Sequence, residues 1–207
     1  MSHVVIATGN RHKFRELAAL LRLPGIRYQS LTDHPAAPSV RETGRTFEAN
    51  AIKKARAIAK ATGRHAIADD SGLEVEALRG GPGVRSARFA GAHGNDAANN
   101  AKLLRMLRGL PTARRRARYR CVLAFADPSR LLAVTRGTWH GRIAQRPAGH
   151  QGFGYDPLFL PSRFGKTVGQ LPAAVKQRLS HRARAARRMR PFLKRLAARR
   201  AVTGSRR

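Results

Sequence analysis

The chain has 207 residues, with 42 lysines and arginines against 11 aspartates and glutamates, for a formal charge of +31 at pH 7. A single cysteine excludes an internal disulfide and a thiolate zinc cage, and no segment approaches the ~20 consecutive apolar residues of a membrane helix. With 42% hydrophobic residues the chain is long enough to bury a core, and its charge predicts attraction to polyanions.

The opening "MSHVVIATGN" lacks a charged leader with an apolar stretch, so no signal peptide is expected and a cytoplasmic, reducing compartment fits. "HVVIAT" (3–8) reads as a strand rich in β-branched residues. The next segment reads as a helix with Phe14, Leu17, Ala18 and Leu21 on one face and Asn10 at its N-cap. Residues 24–45, with Pro24, Pro35 and Pro38, read as strand plus loop. "TFEANAIKKARAIAKATG" reads as a second helix that turns Phe47, Ala51, Ala55 and Ile58 inward and stops at Gly63. "HAIAD" reads as a short buried strand, with Ser71 and Gly72 turning the chain just after it.

The Gly/Pro-rich "LRGGPGVRSARFAG" reads as loop. Asp96 reads as the cap of a third helix with Ala97, Ala101, Leu104 and Leu107 inward. "RYRCVLAFA" and "LLAVTRGTW" flank "DPSR" as a hairpin, which buries Cys121 as an inert thiol. A second Gly/Pro loop, "PAGHQGFGYDP", follows. The C-terminal part reads as basic helix interrupted by Pro191 and then a frayed tail. Together these elements predict a mixed α/β fold: a twisted sheet with flanking helices, in two lobes around a central cleft. One domain spans residues 1–190 and a basic tail spans 191–207.

Four stretches carry chemistry. In "ATGNRHK" a strand enters a tight turn and a helix, whose first backbone N–H groups lack internal partners and carry the positive dipole end. Thr8, Asn10 and Lys13 would complete a phosphate cradle there, although neither the P-loop nor the dinucleotide pattern is present. The second stretch is "AIADDSGLEVEAL". Six of the 11 acidic residues fall between 42 and 76: Glu42, Glu48, Asp69, Asp70, Glu74 and Glu76. Adjacent carboxylates repel, so the crowding points to a hard cation such as Mg²⁺, against the alternative of salt bridges to arginine. Adjacent residues of a strand face opposite ways, so one of Asp69 and Asp70 faces the site while the other braces it.

In the third stretch, "GFGYDP", Phe153 and Tyr155 offer aromatic faces for a base, or else pack a core loop. In the fourth, "AAVKQRLSHRARA", Lys176 and Arg182 would lie roughly 240° apart on one straight helix. A break near Leu179 with Ser180 as a new N-cap would instead put His181 and Arg182 in a first turn; an unbroken amphipathic helix is the alternative.

Read together and in order, "ATGNRHKFREL", "ETGRTFEANAIKKARA", "AIADDSGLEVEAL", "GGPGVRSARFAG", "NNAKLL", "GFGYDPLF" and "LSHRARA" resemble the non-canonical purine nucleoside triphosphate pyrophosphatases, the inosine triphosphatase or Ham1-like family. The resemblance covers roughly residues 3–190. It implies an inosine triphosphatase-like fold, usually homodimeric. It also implies Mg²⁺-dependent hydrolysis of ITP, dITP and XTP to the monophosphate and pyrophosphate. The family's phosphate loop maps onto Thr8, Gly9, Asn10, Arg11, His12 and Lys13, and its proton acceptor and metal carboxylate onto Asp70, with Ser71 contacting substrate. Its base-side segment maps onto Phe153, Gly154, Tyr155 and Asp156, and further substrate contacts onto Lys176, His181 and Arg182. Lys13 and Lys176 are then expected on the phosphates, and His181 and Arg182 at the 6-oxo edge of the purine.

The chain departs from the family pattern at Arg41, which stands where many relatives carry a glutamate, leaving Glu42 as second metal carboxylate. His140, Gln170 and Val175 also stand where acids are frequent. The alternatives are a non-catalytic basic protein binding nucleic acid without sequence preference, or a nucleotide pyrophosphatase of another base preference.

Overall fold

A computed structural model describes residues 1–204, with side chains to residue 198. It contains strands β1 (Ser2–Ile6), β2 (Ile26–Gln29), β3 (His65–Val75), β4 (Arg116–Ala126), β5 (Leu131–Ile143) and β6 (Phe159–Pro161). The helices are α1 (Arg11–Leu21), α2 (Phe47–Thr62), α3 (Asp96–Met106), α4 (Ala173–Leu179) and α5 (His181–Gly204). The strands pair in the order β2-β1-β3-β4-β5-β6. β1 runs parallel to β2 and β3, whereas β5 and β6 are antiparallel, so the sheet is mixed.

The chain divides into two compact units. The first comprises residues 1–70, 121–136 and those from 184 on; the second comprises 71–120 and 137–183. In the first unit, Val4, Ile6 and Ile67 pack with Leu17 and Leu21 of α1, Leu123 and Phe125 of β4, and Met189 and Leu193 of α5. Each such side chain contributes about 1.5–3 kcal/mol by leaving water, so Leu21→Ala would cost about 2–5 kcal/mol. In the second unit, Leu73 and Val75 pack with Leu103 and Leu107, Tyr119 and Trp139, and Tyr155 and Phe159. No helix among the described residues is long and apolar enough to cross a membrane.

The expected helices and the hairpin form, with Asp127 Oδ1 accepting from the Ser129 and Arg130 amides in the turn. Four details differ. β3 does not stop before Asp69 but runs on through Asp70, Ser71 and Gly72. Gly72 suits that position because a Cβ there would lie 2.6 Å from the Gly83 carbonyl oxygen. The stretch expected as loop contains a 3₁₀ helix at Gly83–Arg88.

In α3 the cap is Asn95, which accepts from the Ala98 amide, and the buried face is Asn99, Leu103 and Leu107 rather than the alanines. Apolar periodicity misses this face because Asn99 is polar yet buried. Its Oδ1 accepts from the Ala90 amide and its Nδ2 donates to the Ala87 carbonyl. Finally, α5 runs through Pro191 as one helix and is not interrupted there.

Candidate functional site

The predicted residues form two groups, one in each unit. In the first unit, Asn10 caps α1: its Oδ1 accepts from the His12 amide at 2.9 Å and the Lys13 amide at 3.1 Å. Thr8 Oγ1 accepts from the Asn10 amide at 3.2 Å. The open first-turn donors expected at His12 and Lys13 are therefore already satisfied. Gly9 and Arg11 carry the loop amides outside this cap, and Lys13 contributes its ammonium, 3.6 Å from Asp69 Oδ2.

Asp69 and Asp70 are both buried. Asp69 is the bracing carboxylate: Cys121 Sγ–H donates to its Oδ1 at 3.4 Å, and Lys54 donates to its carbonyl at 2.6 Å. The same Lys54 ammonium lies 2.5 Å from Glu42 Oε1. Asp70 lies within the fields of Lys54, Glu42 and Lys13 and bonds to the Asn50 side chain. Burial is the main force on its carboxyl, and with Glu42 it outweighs the two lysines and Asn50, pushing the pKa up to about 6. Asp70 Oδ2 is buried and has no hydrogen-bond partner among the described residues. That cost persists only where a ligand, water or cation is to be met.

Asn50 and Lys54 escaped the sequence reading. The signal was present: they sit four residues apart on α2, one helical turn, within a stretch rich in alanine. Asn50 also ties down the preceding loop by accepting from the Gly44 amide at 2.7 Å. Only glycine fits at 44, where a Cβ would lie 2.6 Å from that same Asn50 oxygen.

The rest of the acidic crowd goes elsewhere. Glu74 pairs with Arg118 and Arg120, and Glu48 pairs with Arg136. Salt bridging accounts for these, and the cation argument narrows to Asp70 and Glu42. Among the described residues no three histidine, cysteine or acidic side chains converge as a ready-made metal cage. A hard divalent ion still fits Asp70 Oδ2, since such ions take few protein carboxylates and fill their shells with phosphate oxygens and water.

In the second unit the chain does break where Ser180 was expected to cap. Ser180 has extended backbone angles, and its Oγ accepts from the Ala183 amide at 3.1 Å. This puts His181 and Arg182 in the first turn of α5, both nearly buried. The His181 ring stacks on Tyr119 with centroids 4.6 Å apart, and Arg182 Nη2 donates to Ser71 Oγ at 2.9 Å.

Lys176 and Asp156 form a buried ion pair at 2.6 Å. The Lys176 ammonium also lies 4.2 Å from the Phe153 ring centroid, with the Arg182 guanidinium 5.7 Å from it. Asp156 further accepts from Tyr119 Oη at 3.2 Å and from the Phe153 amide at 2.9 Å. These contacts hold Lys176 between Asp156 and the Phe153 ring.

Tyr155 is not an open aromatic face. It is buried, and its hydroxyl donates to the Ser86 carbonyl at 2.8 Å. Phe153 is half-buried, with Lys176 and Arg182 against its ring. Its loop is clamped from α3, where Asp96 accepts from the Gly154 amide at 2.6 Å and Asn100 donates to the Gly154 carbonyl at 3.0 Å. This clamp is the second feature that the sequence reading missed. Asp96 and Asn100 are four apart on α3, and Asp96 had been read as a cap.

The first unit thus holds a loop with free amides and a buried, under-bonded aspartate, and the second holds an aromatic ring beside two cations. The Ham1 family profile matches residues 4–192. A dITP/XTP pyrophosphatase of Geobacillus kaustophilus (strain HTA426) is 53% identical over 89% of this chain and 91% of its own length. One of Nocardia farcinica (strain IFM 10152) is 48% identical over 95% and 97%. Among solved structures, a HAM1 protein from Coxiella burnetii superposes with a TM-score of 0.85 at 38% identity, covering 94% of this chain and all of that one. With the profile spanning nearly all of the fold and relatives at about half identity over most of the chain, the chain belongs to the Ham1 family.

Proposed function

We propose that the protein hydrolyses non-canonical purine nucleoside triphosphates (ITP, dITP and XTP) to the monophosphate and pyrophosphate, clearing them from the nucleotide pool. The observation that carries this reading is Asp70: a buried carboxyl raised to about 6, with one oxygen unbonded, among Lys13, Lys54 and Glu42. The dITP/XTP pyrophosphatases at 53% and 48% identity support the substrate class.

A proton acceptor works best with a pKa near the working pH, and Asp70 is displaced toward it. In its ionised form, Asp70 takes the proton of the water that attacks the α-phosphorus. Lys13 and the loop amides of Gly9 and Arg11 receive the negative charge that develops on the phosphate oxygens. Arg11 and His12 lie on the exposed rim of this loop. Asp70, with Glu42 beside it, would hold Mg²⁺, which supplies charge neutralisation on the triphosphate. Lys54 already balances Glu42, so Asp70 is the principal ligand in this reading.

Phe153 supports the purine face, with Gly154 keeping the backbone close. Asp156 fixes Lys176, and Ser71 fixes Arg182. Arg182 can only donate hydrogen bonds, which suits a 6-oxo purine and disfavours the 6-amino group of adenine. A homodimer and a cytoplasmic location complete the reading.

The test is a panel of ITP, XTP, dITP, GTP, ATP and dTTP, with and without Mg²⁺, scored for pyrophosphate and orthophosphate separately. Pyrophosphate from the first three, dependent on Mg²⁺, is expected. Orthophosphate release, or equal turnover of ATP and ITP, would remove this reading.

A further inference from the structure

One cluster of the basic residues lies at a place that the catalytic reading does not use. An open groove of about 1040 Å³ lies wholly within the second unit. Arg79, Arg116, Arg118, Arg142 and Arg163 line it, against Glu74 and Glu76. Glu74 is held by Arg118 and Arg120, whereas Arg79, Arg116, Arg142 and Arg163 make no ion pair with any described residue. Four uncompensated guanidinium groups around one concavity repel one another, a cost that an anion would relieve.

The sheet explains how they converge. In β4, Ala117 and Tyr119 point into the core while Arg116 and Arg118 are exposed. In β5, Trp139 and Ile143 are buried while His140 and Arg142 are exposed. The period of two thus gives one face to the core and the other to cations. Arg79 and Arg163 reach in from flanking loops. They are the two non-glycine residues with positive φ among those described, at 50° and 86°. That conformation is disfavoured for arginine, yet both instances border this groove.

We infer that this groove binds the phosphodiester backbone of a nucleic acid strand without reading its sequence. Arg116 on β4, Arg142 on the neighbouring β5, and Arg79 and Arg163 on the flanking loops all line the one groove. Four separate cations suit a chain of repeated anionic charges better than one small phosphate. Guanidinium forks bind phosphate oxygens in pairs, and His140 is the one aromatic ring in the lining against five arginines, so backbone contact dominates. A second copy of this chain is disfavoured as occupant, because a two-fold contact would bring together two patches of the same net positive charge.

The experiment titrates a fluorescent 20-nucleotide oligo(dT) against the full chain and reads anisotropy at several salt concentrations. The groove variant carries Arg116→Glu, Arg142→Glu and Arg163→Glu. A control carries the same charge change at the exposed Arg15, Arg22 and Arg27 of the first unit. The groove variant should bind about tenfold or more weakly, with the log–log salt slope reduced by about 2 for three lost contacts. The control should lose no more than about threefold.

Equal losses in the two variants would overturn the inference, because binding would then follow diffuse charge. A change of sedimentation in the groove variant with oligo(dT) binding intact would also overturn it, making the face a contact between copies. Photo-cross-linking of bromodeoxyuridine oligonucleotides to the unaltered chain provides a readout free of folding effects. Adducts within 112–118 or 160–165 are expected, and adducts confined to other segments contradict the assignment.

Discussion

The Lys176 ammonium sits 2.6 Å from an Asp156 carboxylate oxygen and 4.2 Å from the centroid of the Phe153 ring. Both charges are almost wholly buried, and Asp156 has further donors in Tyr119 Oη and the Phe153 amide. Burial first, then the charge of Asp156 and its hydrogen bond, hold the Tyr119 hydroxyl well above its ordinary pKa, so it stays a proton donor to Asp156. Removing one member of a buried pair strands the other, which typically costs 3–5 kcal/mol. Asp156→Asn should therefore lower stability by about 3 kcal/mol or more in urea titrations. Adding Lys176→Met should recover much of the loss, because the apolar chain still packs on Phe153. A single substitution costing under about 1 kcal/mol would mean that the pair does not organise this loop.

Asp70 predicts a conflict between stability and activity. Between the ordinary aspartate range and about pH 6, the folded chain keeps a proton that the unfolded chain has released. Its contribution to stability therefore falls as pH rises through that window and is flat above it. At pH 7.5, Asp70→Asn should be more stable than the parent by roughly 1–3 kcal/mol, the upper end following from 1.36 kcal/mol per pKa unit. The same substitution should abolish pyrophosphate release from ITP. Mg²⁺ should raise the melting temperature of the parent chain and not that of the variant. Retained turnover, or an unchanged response to Mg²⁺, would take Asp70 out of the mechanism.

The parts of the site that were legible in the sequence are those written in local rules. Asn10 before an apolar periodic run and Ser180 between two basic helical stretches each satisfy a backbone amide within three residues, and Gly63 takes the left-handed turn that ends α2. What stayed hidden depends on partners far along the chain. Lys54 matters because Glu42 and Asp69 arrive beside it, and Asn99 is buried because a loop offers it an amide and a carbonyl. Tyr155 could not be told from Phe153 by type or spacing; only the Ser86 carbonyl decides which ring turns inward. The extent of β3 was hidden for the same reason, since Ser71 and Gly72 resemble a turn until Ser86 Oγ accepts from the Leu73 amide at 2.9 Å.

The clamp of Asp96 and Asn100 on Gly154 predicts an effect on substrate affinity from side chains assigned no chemistry. Asn100→Ala releases the Gly154 carbonyl and loosens the backbone that carries Phe153. One neutral hydrogen bond contributes about 1 kcal/mol, so KM for ITP should rise about fivefold with kcat nearly unchanged. Asn100→Gln, which keeps the amide, should recover part of the loss. If kcat falls while KM holds, the clamp serves something other than placement of the ring.

Arg182 is bonded through Nη2 to Ser71 Oγ at 2.9 Å and is almost fully buried, so its guanidinium is held in one orientation. A fixed donor set that meets a 6-oxo group gains a charge-assisted hydrogen bond worth about 1.5–3 kcal/mol, and faces a 6-amino group with donor against donor. Arg182→Ala should therefore cut the ITP-over-ATP ratio of kcat/KM by about tenfold to a hundredfold, mainly by lowering turnover of ITP. Arg182→Lys keeps the charge but loses the planar fork, and should fall between the two. Melting curves of both variants separate this effect from lost packing, since a folding defect lowers both substrates together. A ratio unchanged in a folded Arg182→Ala protein would move recognition of the purine edge to other residues, with His181, stacked on Tyr119, the next to replace.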